Sequence, residues 1–314
     1  MSVARYQTAA DLLGAWRDAL LSGEAPVLYP VGDGELGRLE IGPGLVTLIG
    51  GAPGTGKTTL VAQLAIEALQ RTPDLRALIC NVEMPPSVLL DRQLARLAGI
   101  DASDIRHRRL GARHAEAIER GLSILESLAD RLAFVQPPFD LANVAAAADN
   151  LSASLLVIDY IQRVAPPGEH GDRRGAVDAT MSYLRQFADA GTALIVISAV
   201  GRSRDSRGRS TYVEGLNLAS FRESSELEFG ADDAFILVPE DDGDDGPPGR
   251  LVLRHLKARH GEPRDIRLTF DRRHQRFTAD APTAPQATDP GKLQAALRMA
   301  WARTRPAPEE EDTW

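Results

Sequence analysis

The chain has 314 residues, of which 43% are hydrophobic and 25% are charged, a composition that is typical of a folded globular protein and excludes disorder of the whole chain. Its formal net charge is −8, but two patches, 240–245 and 309–312, carry nine of the 44 acidic residues. Without these patches, 35 acidic residues face 36 Lys and Arg. Net charge therefore does not exclude a local basic site.

The single cysteine, Cys80, excludes a disulfide or a thiol pair within one chain. It lies in the apolar run "RALICNV", so we interpret it as a buried, inert thiol. The N-terminus has no long apolar segment, and nowhere do 18 apolar residues follow one another. These features predict a cytoplasmic protein without a membrane partner.

Residues 8–22 have the pattern of an amphipathic helix. Thr8 and Asp11 have the spacing of a capping box, and Gly23 is predicted to end the helix. The predicted apolar stripe consists of Leu12, Leu13, Trp16, Ala19 and Leu20.

From about residue 25, short β-type runs alternate with helical segments. Unbroken runs of Val, Ile and Leu suit strands that are buried on both faces, so the pattern predicts an α/β fold with a parallel sheet covered by helices. The last two runs flank "PEDDGDDGPPG" and predict a hairpin with a solvated acidic tip. The runs are "GLVTLIG", "RALICNV", "LAFVQ", "SLLVIDY", "ALIVISAV", "DDAFILV" and "RLVLRHL".

The segment after Phe277, "TADAPTAPQATDPG", is rich in Pro, Ala and Thr, and we interpret it as a disordered linker. A short helix is predicted beyond it, with Asp289 as the N-cap and Pro290 in the first helical position. Residues 289–314 are either a docking peptide for a protein partner or a weakly ordered tail.

A phosphate-binding signature, "GAPGTGKT", occupies Gly51 to Thr58 between an apolar run and a helical segment. Glycines allow the backbone N–H groups to wrap phosphates, and the helix N-terminus adds its dipole. Lys57 is predicted to act near the β and γ phosphate oxygens, and the Thr58 hydroxyl is predicted to bind Mg²⁺. The signature thus predicts ATP and Mg²⁺, bound by Gly51, Ala52, Pro53, Gly54, Thr55, Gly56, Lys57, Thr58 and Thr59.

Two acidic residues at strand ends complete the predicted site. Asp159 ends the run "LLVIDY", where its carboxylate is expected to hold Mg²⁺. Glu83 ends the strand that follows the phosphate-loop helix and is the candidate base that deprotonates the attacking water.

These motifs, in their order, resemble the C-terminal RecA-like ATPase domain of DnaB-type replicative helicases over most of residues 28–277. "NVEMPPSVLLDRQLARLAGI" looks like the segment that carries the catalytic Glu and a downstream Arg, which are Glu83 and Arg92 in this chain. "LLVIDYIQRV" resembles the Mg²⁺ strand, and "SFRESSELEFGADDAFIL" resembles the R-E-S-G segment with Ser225 in place of Gly. The resemblance implies a RecA-like P-loop NTPase fold, a mostly parallel twisted sheet with helices on both faces and a C-terminal β-hairpin.

"KARHG" is similar to the family's K-x-R-x-G motif. Its Lys257 and Arg259 leave the same face of a predicted strand. The resemblance implies that both are catalytic and reach the γ-phosphate held by the neighbouring subunit of a homo-oligomer, a hexameric ring. Together with the composition of the termini, it divides the chain into an N-terminal arm with the amphipathic helix (1–24), the ATPase domain (25–278), and a disordered linker with a short helix and an acidic tail (279–314).

The segment "GRSRDSRGRSTYVEGLN" corresponds to the family's channel loop, which follows single-stranded DNA. Gly and Ser between arginines make a flexible cationic segment that can follow the phosphates of DNA or RNA without reading sequence. Its predicted nucleic-acid contacts are Arg202, Arg204, Arg207 and Arg209.

Three features depart from the family. Only about 25 residues precede the core, so we expect the family's N-terminal helical domain to be missing. Ala199 replaces a Gln that senses the γ-phosphate and couples it to the DNA loop. The acidic tail is not part of the family pattern.

The sequence leaves two functions open. One is a ring ATPase that acts on single-stranded nucleic acid as a helicase, translocase or remodelling motor. The other is a RecA-fold ATP switch or scaffold that controls a partner without unwinding. A small-molecule P-loop kinase fits less well, because the "KARHG" strand and the arginine-rich segment suit no acceptor pocket.

Overall fold

The structure, a computed structural model, describes residues 6–201, 203–204, 210–211, 216–221, 226–240 and 249–279, together with 295, 298 and 299. The chain divides into two units. One is Val27–Pro282, and the other combines Met1–Pro26 with Thr283–Trp314. The predicted hairpin tip, the linker from residue 280 and most of the predicted C-terminal helix lie outside the described residues. The linker prediction was wrong for Thr278 and Ala279, which form the end of the strand Arg276–Ala279 and pair with the strand Ile266–Asp271.

The first helix, α1 (Ala9–Ser22), has the predicted ends. The Thr8 side chain accepts a hydrogen bond from Asp11 N, and Thr8 N donates to Asp11 Oδ2 at 2.9 Å, so the capping box is confirmed. Gly23 ends the helix in the left-handed region, with a φ of 73°. Ala19 of the predicted apolar stripe is half-buried, but its large side chains are exposed, and Trp16 keeps 61% of its accessible surface.

The core unit is built on one sheet, in which the described residues form nine strands. The strand order is β11-β10-β9-β8-β1-β5-β4-β2-β3. The six strands from β8 to β3 in this order pair in parallel, whereas β8, β9, β10 and β11 pair antiparallel in sequence. The strands are β1 (Val46–Gly51), β2 (Ala77–Asn81), β3 (Leu132–Phe134), β4 (Leu155–Asp159), β5 (Ala193–Ile197), β8 (Asp233–Pro239), β9 (Arg250–Ala258), β10 (Ile266–Asp271) and β11 (Arg276–Ala279); β6 (Ser203–Arg204) and β7 (Ser210–Thr211) form a separate pair.

Helices cover both faces of the sheet, as predicted. Leu48 and Ile49 are neighbours on β1 and are fully buried in different core clusters, because successive side chains of a strand point to opposite faces. The helices of the core unit are α2 (Lys57–Arg71), α3 (Pro86–Ala98), α4 (Ala102–Arg106), α5 (Ala115–Leu128), α6 (Leu141–Leu151), α7 (Arg173–Asp189) and α8 (Glu226–Gly230). The α/β fold and the β8–β9 hairpin are confirmed.

Strands β10 and β11 were absent from the sequence prediction. Along β10, buried and exposed residues alternate, so the strand contains no unbroken apolar run. Helix α2 is joined to β11 through Gln63, whose side chain donates to Phe277 O at 2.8 Å and accepts from Phe277 N at 2.9 Å. This edge of the sheet thereby becomes part of the support for α2.

Cys80 is buried in β2, and burial raises the pKa of its thiol to about 12. This agrees with the interpretation of Cys80 as an inert thiol. In the part of the chain that the structure describes, no helix has the length and apolarity required to cross a bilayer.

Candidate nucleotide site at the carboxyl ends of the strands

The predicted phosphate loop connects β1 to α2 and requires its glycines. Gly54 and Gly56 have φ values of 80° and 96°, which other residues rarely adopt. A Cβ atom on Gly56 would lie 2.8 Å from the Phe270 ring, and a Cβ atom on Gly51 would lie 2.8 Å from Leu237 O. The loop thus packs closely against β8 and against β10, which is distant in the chain.

Lys57, the first residue of α2, folds back onto the loop. Its Nζ donates to Gly51 O at 2.7 Å and to Ala52 O at 2.9 Å. The pKa of Lys57 is lowered from its ordinary value, because the effect of burial exceeds the opposing effect of the nearby carboxylates of Asp159 and Glu83. Helix α2 has no side-chain N-cap, so its first N–H groups are available to an anion.

Asp159 lies at the end of β4 and is 4% exposed. Burial raises the pKa of its carboxyl to about 6, while a hydrogen bond from the Thr58 side chain and the charges of Lys57 and Arg92 lower the pKa. A Thr hydroxyl beside one carboxylate is a donor set that Mg²⁺ accepts when phosphate oxygens and water supply its other ligands. Thr58 and Asp159 therefore fit the predicted metal site.

Glu83 follows β2 in a turn that Asn81 organises. The Asn81 side-chain oxygen accepts from Glu83 N at 3.0 Å and from Met84 N at 2.7 Å. Asn81 Nδ2 donates to Asp159 Oδ2 at 2.6 Å. One buried amide thus connects the turn that carries the candidate base to the candidate metal ligand.

These side chains surround a single cavity of about 640 Å³. Ala52 and Thr55 belong to the loop but do not line the cavity. Ala52 instead provides a carbonyl to Lys57 and to the Thr55 hydroxyl. The predicted residues that line the cavity are Gly51, Pro53, Gly54, Gly56, Lys57, Thr58, Thr59, Glu83, Arg92 and Asp159.

Sequence reasoning missed the part of the cavity formed by the β10–β11 turn. Arg272 donates to Gly54 O at 3.0 Å, and its guanidinium lies 5.2 Å from the centroid of the Phe270 ring. Gln275 accepts a hydrogen bond from the Thr59 hydroxyl at 3.1 Å. An alternating pattern over 266–279 was the available signal for these strands. Further lining residues that were missed are Met84, Tyr160, Gln162, Arg173, Ile197 and Val200.

Lys257 and Arg259 do not line the cavity of their own chain. Lys257 Nζ donates to Glu228 O at 2.6 Å and to Ala231 O at 2.7 Å, at the C-terminal end of α8. Burial and the charge of Arg259 lower the pKa of Lys257. Arg259 donates to Phe229 O at 3.0 Å.

Arg259 also pairs with Asp232 at 2.9 Å, and 43% of its side chain remains exposed. The Asp232 carboxylate is buried and accepts from Val46 N at 2.8 Å and from Arg185 at 2.6 Å. Arg259 is therefore paired with a carboxylate that has two other partners, Val46 N and Arg185.

The predicted nucleic-acid loop is described only in part. Strands β6 and β7 form an antiparallel backbone pair, and Gly201 N donates to Ser220 O at 2.7 Å at the base of the loop. Arg202, Arg207 and Arg209 lie outside the described residues, as does Ser225, and Arg204 is described only by its backbone in β6.

Residues 41–279 match a protein family described as DnaB-like helicase C terminal domain. One similar solved structure is that of a DnaB-like replicative helicase, described with its interactions with primase; it is 17% identical, with a TM-score of 0.72, over 89% of this chain and 68% of that chain. Another is described as an ATPase domain and is 18% identical, with a TM-score of 0.74, over 87% of this chain and 99% of that chain. At these identities the two structures show a shared fold.

Proposed function

Since the chain belongs to the DnaB-like helicase C-terminal domain family, a family of ATPase and helicase domains, we propose that it binds ATP with Mg²⁺ and hydrolyses it. The observation that carries this proposal is the convergence of Lys57, Thr58, Glu83 and Asp159 on one cavity. These residues come from the phosphate loop and from the ends of two other strands. Each has the chemistry that its place in phosphoryl transfer requires.

Glu83 is the proposed general base. Its backbone N–H is fixed by Asn81, so the carboxylate extends from a defined turn into the cavity. A carboxylate there can orient a water molecule and accept its proton. Lys57 exchanges its two carbonyl partners for phosphate oxygens. Mg²⁺, when held by Thr58 and Asp159, neutralises charge on the phosphates.

Lys257 and Arg259 are proposed to act on a neighbouring subunit. Both contact the end of α8, away from the cavity of their own chain, and Arg259 is partly exposed. A homo-oligomeric ring, which we propose to be a hexamer, can bring this edge against the next cavity. Its cations would then stabilise the charge that develops on the transferred phosphoryl group.

The proposed ligand of the ring is single-stranded DNA, with RNA as an alternative. The segment 202–209 contains four arginines and one aspartate, and in the chain it follows closely after Ile197, Ala199 and Val200, which line the cavity. Such a segment binds phosphates with little sequence preference. Protein partners of residues 289–314 remain a prediction.

The decisive experiment measures ATP hydrolysis by the purified chain with and without single-stranded DNA. We expect Mg²⁺-dependent turnover that single strands stimulate. Lys57→Ala should weaken ATP binding, whereas Glu83→Gln should bind ATP and lose about 10²-fold to 10⁴-fold in turnover. Glu116→Gln removes an exposed carboxylate on α5 and is the matched control.

Unchanged turnover in Glu83→Gln would remove Glu83 as the base. An equal rate of ATP hydrolysis with and without single-stranded DNA would favour the switch or scaffold over the motor. A strand-separation assay then distinguishes helicase from translocase activity.

A further inference from the structure

Gln162 lines the nucleotide cavity from the 3₁₀ turn Ile161–Arg163, three residues beyond Asp159. Its side chain crosses from the end of β4 to the end of β5. Nε2 donates to the Ser198 hydroxyl at 2.8 Å, and Oε1 accepts from Ala199 N at 3.2 Å. Both ends of one amide are thus engaged with the residues that follow β5.

The arginine-rich loop is the segment 201–217, which contains Arg202, Arg204, Arg207 and Arg209. The residues after β5, together with Ser220 and Phe221, form its base. Val200 forms an antiparallel bridge with Phe221, and Gly201 N donates to Ser220 O at 2.7 Å. This base is packed tightly against β1, because a Cβ atom on Gly50 would lie 2.6 Å from Val200 and 2.7 Å from Phe221. The loop base therefore has little room to move toward β1.

We propose that Gln162 is the residue that couples the nucleotide in the cavity to the arginine-rich loop. In one arrangement, its amide holds Ser198 and Ala199, as the distances above show. When a nucleoside triphosphate is bound, the amide N–H groups donate to the terminal phosphate, and the bonds to Ser198 and Ala199 are released. A diphosphate lacks that acceptor and leaves the loop base as it is.

The chemistry of the amide suits this exchange. A primary amide carries two N–H donors and a carbonyl acceptor, so it can serve either a hydroxyl and a backbone N–H or an anion. Glutamate has the same shape and keeps the acceptor for Ala199 N. It has no N–H donor, and its charge repels phosphate, so Gln162→Glu separates holding the loop base from sensing the phosphate.

The first test is hydrogen–deuterium exchange in the peptides that cover 198–221, with the wild-type chain saturated with Mg·ADP or with Mg·ATPγS. We expect exchange at the loop base to differ between the two nucleotides in the wild type and not in Gln162→Glu or Gln162→Ala. Gln186→Ala, on the exposed side of α7, is the matched control and should behave as the wild type. A nucleotide-dependent difference that persists in both Gln162 variants overturns the proposal, as does its absence from the wild type.

The second test rests on the proposed function and measures the dissociation constant for a single-stranded oligonucleotide in the same two nucleotide states. Coupled sites commonly differ by 5-fold or more, so we expect a ratio of at least about 5 for the wild type and below about 2 for Gln162→Glu. An unchanged ratio in the variant overturns the role of Gln162. A wild-type chain that binds no oligonucleotide contradicts the proposed ligand, and the exchange measurement still decides the role of Gln162.

Discussion

Asn81 and Asp159 are partners in the register of β2 and β4, and the Asn81 amide donates to the Asp159 carboxylate at 2.6 Å. Asn81 also accepts from the backbone of the turn that carries Glu83. One buried side chain thus contacts both the turn of the candidate base and the candidate metal ligand.

Replacing Asn81 separates these two contacts. Asn81→Asp keeps an acceptor for Glu83 N but places a second carboxylate against Asp159. Two adjacent carboxylates raise the pKa of one another, so Asp159 ionises less readily and more Mg²⁺ is needed. We expect the Mg²⁺ concentration for half-maximal ATPase activity to rise about 10-fold at pH 7, while the folded state is retained. Asn150→Asp, at an exposed position of α6, is the control. An unchanged Mg²⁺ requirement would contradict this role for Asn81.

Gly56→Ala tests the contact between the phosphate loop and the edge of the sheet. The new Cβ atom would lie 2.8 Å from Phe270 and 2.9 Å from Phe277, at a φ of 96°. The positive φ costs about 1 to 2 kcal/mol, and the overpacking adds about 1 to 3 kcal/mol. We expect the free energy of unfolding in urea, without nucleotide, to fall by both contributions.

Gly54→Ala is the matched variant, because Gly54 has a φ of 80° but a Cβ atom there would have no other atom within 4 Å. It should lose only the conformational contribution. Equal destabilisation of the two variants would show that the Phe270 and Phe277 contact is not tight in solution.

Arg259→Ala tests catalysis across a subunit interface. Asp232 keeps Arg185 and Val46 N as partners, so the fold should persist. The variant should bind ATP normally and lose on the order of 10³-fold to 10⁵-fold in turnover. Mixing it with Lys57→Ala, which lacks a working cavity but keeps Arg259, should restore part of the activity.

Arg264→Ala removes an exposed arginine beyond the end of β9 and serves as the control. No recovery in mixtures that are shown to assemble together would place Arg259 outside the catalytic site. Full activity in a monomeric form of the chain would have the same meaning.

Neutralising Arg204, Arg207 and Arg209 tests the nucleic-acid loop. Each phosphate contact contributes about −0.7 to the slope of log K against log salt concentration for single strands. The triple alanine variant should flatten this slope by up to about 2 and still bind ATP. A matched variant of the exposed arginines Arg106, Arg109 and Arg113 changes the net charge equally and should keep the wild-type slope. The reverse result would move the binding surface to residues 106–113.

The parallel part of the fold was predictable because its strands are buried on both faces. Runs such as "LLVID" and "ALIVI" are apolar up to the strand end, and their burial follows directly. The phosphate loop was predictable for a different reason: its backbone geometry demands glycine at fixed places. Phe270 and Phe277 could not be placed in this way, because β10 and β11 are half exposed and their burial depends on contacts with α2 and the loop.

Contacts between residues that are distant in the chain also could not be predicted from the sequence. Nothing in the spacing of Arg272 and Gly54 shows that a guanidinium meets a loop carbonyl 218 residues away. Gln162 lies three residues after Asp159, so its place near the cavity could be predicted. Its hydrogen bond with Ala199 could not, because that bond depends on the order of β4 and β5 in the sheet. The roles of Lys257, Arg259 and the arginine-rich loop remain predictions.

Phe270 and Phe277 stack with ring centroids 4.2 Å apart, and their position late in the chain has a consequence for folding during synthesis on the ribosome. The phosphate loop is synthesised early, but the aromatic pair beneath Gly56 and the Gln63 partner Phe277 come more than 200 residues later. A nascent chain that has completed α7 already carries the whole signature and still lacks the support that shapes it. A stop codon just before β10 would therefore yield a chain that has the complete phosphate-loop sequence but lacks Phe270, Arg272 and Phe277, which contact the loop and α2.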